Sequence, residues 1–241
     1  MTVDLEYDFE TKQDKSLIEV VPKLLDFFSL HDVKATFFVL GEIAEKYPKV
    51  IKKISSEGHE IACHGYNHKR LTDLSDVQVV DELVRSKEII EKLGVPCKGF
   101  RAPYFMFGRK LHGQLFLAGY AYSSSVSSFF PGRYSNLFVK PELFAKDGVV
   151  EMPVPNWWVK FFPSGLSYYR LFYPLSKKFK VPYMLYLHPC ELLGRTVDNS
   201  VNKFVQKVYD KNLDKSWELL EQIVVGKKWV TCSQYLDSWM S

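Results

Sequence analysis

His64-Gly-Tyr-Asn-His68 sets two imidazoles four residues apart, a spacing that on a helical turn puts both on one face, close enough to share a metal ion. Alone, such a pair is as often two unrelated surface histidines as a site. Asp4-Leu5-Glu6 changes the balance. Alternate residues of a strand point to the same side, so both carboxylates can face one rim, one binding metal and one accepting a proton. Two His and one carboxylate leave open positions for water and substrate, as a catalytic rather than a structural metal requires. Asp8 is a spare candidate ligand. Arg101, ahead of Ala-Pro-Tyr, could hold a carboxylate bidentately, and His188 follows the apolar Met-Leu-Tyr-Leu. Singly, Arg101 reads as a surface arginine and His188 as a satisfied core histidine.

These residues need elements to carry them. Residues 2–5 read as a short strand, and 35–41 (ATFFVLG) as a strand buried on both faces and ended by glycine. Apolar residues recur at helical spacing over 16–30, and further helices are expected over 43–57, 75–93, 110–118 and 200–225. Residues 59–65, 99–104, 121–126 and 181–189 read as strands or strand ends, and 229–236 as a strand with a short turn. Strand and helix in alternation imply parallel strands joined by crossover helices. The expected fold is therefore one α/β barrel-like domain over 1–241, with chemistry at the C-terminal ends of the strands. Asp4 and Glu6, His64 and His68, Arg101, and His188 leave four separate strands, and all fall at such ends.

The balance of 32 Lys and Arg against 28 Asp and Glu is too weak to argue for a nucleic-acid partner, where a clustered basic face is expected. It leaves room for peripheral contact with an anionic membrane surface. Four scattered cysteines, Cys63, Cys97, Cys190 and Cys232, form no disulfide framework and read as reduced and mostly buried. The acidic first residues are unlike a signal peptide, and no apolar run is long enough to span a bilayer. The expected compartment is the cytoplasm, with peripheral contact at the inner membrane face as an option. Oligomeric state is open.

Taken in order, these segments resemble the polysaccharide deacetylase family, the NodB-like carbohydrate esterases. TVDLEYDF resembles the first family motif, GHEIACHGYNHKRL the metal-binding motif, GFRAPY the third and LYLHP the last. The stretch from Glu151 through Gly165–Arg170 to His188-Pro-Cys-Glu191 resembles a subgroup that accompanies exopolysaccharide or O-antigen assembly. The resemblance implies a distorted (β/α) barrel. It implies Asp4 as general base, His64 and His68 as metal ligands, Arg101 as the residue orienting the base, and His188 as general acid. Two departures stand out. Leu5 separates the first-motif acids, which makes Glu6 the expected third ligand with Asp8 as substitute. The place of the fourth-motif aspartate is taken by Tyr122-Ser-Ser-Ser125, and Glu191 or Glu151 could support His188 instead.

The implied reaction is metal-assisted hydrolysis of an N-acyl, chiefly acetyl, amino sugar in a surface glycan or its precursor. Zinc is the first expectation, and the mixed N/O donors also suit cobalt, nickel or iron. Trp157, Trp158, Phe161, Phe162, Tyr168, Tyr169 and Phe172, interleaved with Lys160 and Arg170, could stack on sugar rings or lie at a membrane surface, with most of them expected to be buried. Tyr104, Trp157 and Arg170 are the expected substrate contacts. Two other functions compete: a sugar-binding homologue without turnover, and a cyclic-amide hydrolase of the allantoinase type, which the 151–191 features disfavour.

Overall fold

A computed structural model describes residues 1–8, 13–127, 142–156, 163–194 and 210–241. Eight short strands, β1 (Thr2–Leu5), β2 (Thr36–Val39), β3 (Glu60–Cys63), β4 (Gly99–Phe100), β5 (Tyr122–Ser123), β6 (Phe144–Lys146), β7 (Val149–Glu151) and β8 (Tyr186–Leu187), form one sheet in the order β6-β7-β5-β4-β3-β2-β1-β8. Every neighbouring pair is parallel except β6 and β7. The sheet curls into a distorted, incomplete (β/α) barrel, as the alternation of elements implied.

Strand periodicity explains the two cores. Val3 and Leu5 of β1, Phe37 and Val39 of β2, and Ile61 and Cys63 of β3 belong to the large cluster beneath the helices. The alternate residues Phe38 and Ala62 join Phe105, Tyr122, Met152, Met184 and Tyr186 in a second cluster on the inner face. Asp4 falls on this inner face, paired in register with Phe38.

The helices are α1 (Lys15–Glu19), α2 (Val21–Leu30), α3 (Gly41–Lys46), α4 (Pro48–Ser56), α5 (Asp76–Glu91), α6 (Leu111–Leu117), α7 (Leu166–Leu171), α8 (Ser216–Val224) and α9 (Cys232–Met240). The helix expected over 43–57 is two helices. Proline disfavours helical geometry in the residue before it, so Tyr47 leaves the helix at φ −124°, and Pro48 then starts α4 where its missing N–H costs nothing. The segment 16–30 is also two helices, meeting at Val20, which keeps right-handed backbone at φ −99° and ψ −43°. Ser75 caps α5 as expected, in a reciprocal box with Gln78. The strand expected over 229–236 shrinks to one bridge from Trp229 to Val33, because Thr231 and Gln234 form a second capping box that starts α9. Much of the helix expected over 200–225 lies outside the described residues, which show α8 at its end. All four cysteines are buried and free. Among the described residues no helix is long and apolar enough to cross a membrane.

One buried histidine makes the fold acid-sensitive. His59 packs between the rings of Phe28 and Phe37, and its Nδ1 accepts the Ala35 N–H at 3.2 Å. Burial first, and Lys34 second, push its pKa down to about 4. Between that value and the unfolded value of roughly 6.5, the unfolded chain binds more protons, so stability falls as pH falls through this window. Denaturant titrations at pH 7 and near pH 4.5 are predicted to show a loss that is smaller in His59→Gln by on the order of 2–3 kcal/mol. Equal losses in both proteins would refute the assignment.

Candidate active site

Register brings the chemistry to one row. Leu5, Val39, Cys63, Phe100, Ser123 and Glu151 are consecutive partners across six strands. The next residues along are Glu6, Leu40, His64, Arg101 and Ser124, at the C-terminal ends of their strands. On the other side of β1, Val3 pairs with Leu187, which sets His188 level with Asp4.

Glu6, His64 and His68 offer ligand atoms that all lie within 4.8 Å of one another. The two histidines do not meet on a helix, contrary to the spacing argument. They span an irregular loop in which Gly65 (φ +79°) and His68 (φ +61°) take left-handed backbone, and their ring centroids lie 5.2 Å apart. The start of α3 clamps this loop: Gly41 and Glu42 donate their free N–H groups to the carbonyls of Gly65 and Tyr66 at 2.9 and 3.0 Å. A β-carbon on Gly41 would sit 2.8 Å from the Tyr66 ring, so this close approach needs glycine. Glu82 takes the Tyr66 N–H from the other side.

The three groups fit a divalent cation. His64 Nδ1 lies 2.8 Å from the Arg101 carbonyl and donates to it, which leaves the Nε2 lone pair facing Glu6. Burial, the largest effect, lowers the His64 pKa to about 4 against the pull of Asp4 and Glu6, so the ring is a neutral ligand at pH 7. Glu6 is ionised: burial opposes its charge, but His68, His188 and His64 hold its pKa down to about 2. Its Oε2 is 2.6 Å from His68 Nε2 yet has no well-directed hydrogen bond. A buried carboxylate oxygen beside two imidazole nitrogens is a donor set of the kind that suits a divalent cation. Asp8, the alternative ligand, is committed elsewhere. Both of its oxygens accept the Ser16 N–H, and Ser16 Oγ donates to it, so it braces the start of α1.

Arg101 is fully buried inside the barrel. Its Nη1 binds Asp4 Oδ1 at 2.6 Å and Thr2 Oγ1 at 3.1 Å, while Nε and Nη2 reach the carbonyl and hydroxyl of Ser124. Its guanidinium lies over the Phe38 ring at 4.1 Å. This reverses the surface-arginine reading. His188 Nε2 stands 3.9 Å from Asp4 Oδ2 and 3.6 Å from Glu6 Oε1. Its Nδ1 is 2.9 Å from Glu191 Oε1, which also accepts the His188 backbone N–H. Glu191, not Glu151, therefore stands behind His188; Glu151 pairs with His112 instead. Burial works against a charged His188, but Glu6, Glu191 and Asp4 outweigh it and raise its pKa to about 10.

Tyr104 stands beside the site, its ring 4.3 Å from that of His68, with the Arg70 guanidinium over the Tyr104 ring at 5.2 Å. Tyr104 and Phe105 both take left-handed backbone, at φ 55° and 56°. Arg170 corrects the sequence expectation. It is fully buried, with Nη1 3.5 Å from Ser216 at the start of α8, because α7 turns that side chain into the helix layer rather than the cleft. Tyr169 is buried, and Tyr168 and Phe172 are half-buried. Trp157, Trp158, Lys160, Phe161 and Phe162 lie outside the described residues. His112, Ser123–Ser125 and Glu151 of β7 were not singled out together by spacing, since they meet only across three elements.

Residues 7–123 match the family model described as Polysaccharide deacetylase. Over that span, just under half of its length, the chain is similar to the polysaccharide deacetylase family. It is 41% identical over 106 residues to a peptidoglycan-N-acetylglucosamine deacetylase of Bacillus cereus, covering 44% of this chain and 38% of that one. It is 40% identical over 72 residues to the peptidoglycan-N-acetylmuramic acid deacetylase PdaA of Bacillus subtilis, covering 30% and 27% respectively. The alignments thus span well under half of these relatives. A solved structure from Mycobacterium smegmatis, a candidate polysaccharide deacetylase, superposes over 98% of this chain and 89% of its own with a TM-score of 0.62 at 19% identity, which shows a shared fold. The family match includes His64, His68 and Arg101. Asp4, Glu6, His188 and Glu191 lie outside it, and the barrel brings them to the same rim.

Proposed function

We propose that the chain is a metal-dependent hydrolase removing an N-acyl group, acetyl in the simplest case, from an amino sugar of a glycan or glycan precursor. The observation that carries this is the placement of Glu6, His64 and His68 beside an arginine-held carboxylate and a carboxylate-backed histidine. The two deacetylase relatives, named for N-acetylated amino sugars, support the substrate class. A divalent cation on that donor set, zinc first and cobalt, nickel or iron by the same chemistry, would lower the pKa of water toward about 7 and polarise the amide carbonyl.

The chain's own groups supply the proton transfers. Asp4 is tethered to Arg101 through Oδ1, which leaves Oδ2 to accept the proton of the attacking water. His188 keeps its proton at neutral pH and turns Nε2 toward the two carboxylates, where it protonates the departing nitrogen. An acid is needed there because an amine anion is a poor leaving group. Tyr104 forms the wall against which the sugar stacks.

The test is acetate release from N-acetylglucosamine oligomers, measured on the purified protein, after chelation, and after zinc, cobalt, nickel or ferrous ion is returned. Hydrolysis should disappear on chelation and return with metal. Metal bound without hydrolysis of any N-acylated amino sugar would point instead to a sugar-binding protein, and activity indifferent to chelation would overturn the mechanism.

A further inference from the structure

One peptide unit is held from both sides. The Arg101 carbonyl accepts the His64 Nδ1–H at 2.8 Å, and the Ala102 N–H of the same peptide donates to Ser125 Oγ at 2.9 Å. Ser125 is fully buried and anchored in turn. Glu151 Oε1 accepts the N–H groups of Ser125 and Val126, each at 2.8 Å, and Ser123 Oγ donates to Ser125 Oγ at 2.9 Å. The other oxygen of Glu151 accepts from His112 Nε2 at 3.0 Å. His112 and Glu151 are both buried, on α6 and β7. Among the described residues this chain of groups shares no hydrogen bond with Asp4, Glu6 or His188. A buried carboxylate and imidazole are costly to keep dry, and here they bind each other and two backbone amides, those of Ser125 and Val126.

We propose that Ser125, braced by Glu151 and His112, is a positioning residue for His64, acting through the Arg101–Ala102 peptide. Hydrogen bonding at a peptide N–H polarises its carbonyl, which strengthens the carbonyl's hold on the imidazole N–H. That hold fixes the ring and makes its free nitrogen a better ligand. The serine run that stands where the family pattern has an aspartate thus has work of its own: Ser124 holds Arg101, and Ser125 holds the peptide behind the metal ligand.

The inference rests on the metal-centre reading, and zinc affinity separates the two. Zinc alone is titrated into the full chain against a competing chromogenic chelator, with melting temperature followed in parallel. Ser125→Ala should bind zinc about 10-fold more weakly, the lower end of the range for outer-shell partners. Ser125→Thr, which restores the hydroxyl, should recover most of the loss. Glu151→Gln keeps an acceptor for the two amides but not the charge, and should show a smaller loss in the same direction. Wild-type zinc affinity in Ser125→Ala, with only its melting temperature lowered, overturns the inference and leaves the metal centre standing. If Ser125→Ala does not fold, unchanged zinc affinity in Glu151→Gln overturns it. No zinc binding by the wild-type chain overturns both.

Discussion

Replacing His68 with alanine is expected to abolish zinc binding and hydrolysis together. His68 supplies one of three ligand atoms, and its Nε2 lies nearest the orphaned oxygen of Glu6. Losing an outer-shell partner costs about 10–100-fold in metal affinity, so loss of a direct ligand should exceed about 100-fold. The side chain sits at the rim, 16% exposed, so its removal opens no core cavity and the metal-free melting temperature should hardly move. The same titration decides the third ligand. Glu6→Gln should follow His68→Ala, whereas Asp8→Asn should bind zinc normally and lose stability instead, because Asp8 braces Ser16. Full activity in a metal-free His68→Ala protein would sink the mechanism.

The second large effect is expected at Asp4, and it should be of a different kind. Asp4→Asn keeps Glu6, His64 and His68 intact, so zinc should still bind, while removal of the proton acceptor should lower kcat by about 10²–10⁴-fold. It also leaves Arg101 buried without an anion. Breaking a buried pair from one side typically costs about 3–5 kcal/mol; the asparagine oxygen can still accept one bond, so the low end of that range is expected. Denaturant unfolding of the folded variant checks the stability, and acetate release per zinc-loaded molecule checks the chemistry. An Asp4→Asn protein that is destabilised yet turns over at the wild-type rate would show that Asp4 serves the fold alone.

These two residues also show how a site is divided between chain and fold. The histidine pair was visible as a spacing, but the reason given for it, a helical turn, does not hold. What brings the imidazoles together is a left-handed glycine and the clamp from α3, and the contribution of α3 comes from residues 41 and 42, far from the motif. By local pattern Arg101 and His188 were only polar residues at the ends of apolar runs, and it was the family resemblance that gave them roles. Burial separates a surface arginine from the counter-charge of Asp4, and it is set by which face of β4 turns inward.

The residues that could do chemistry, the alternation of strand and helix, and the end of each strand at which reactive groups fall were all legible in the amino-acid sequence. Those features follow from local periodicity and from side-chain type, which a linear chain displays directly. The position of Glu6 beside His64 and His68 while Asp8 braces Ser16, the pairing of His188 with Glu191 rather than Glu151, the burial of Arg170 in the helix layer, and the link from His112 through Ser125 to His64 were decided by tertiary structure. Each of these depends on strand register and on helix packing, which join residues tens of positions apart, and no local pattern encodes which of two nearby carboxylates will turn toward the rim.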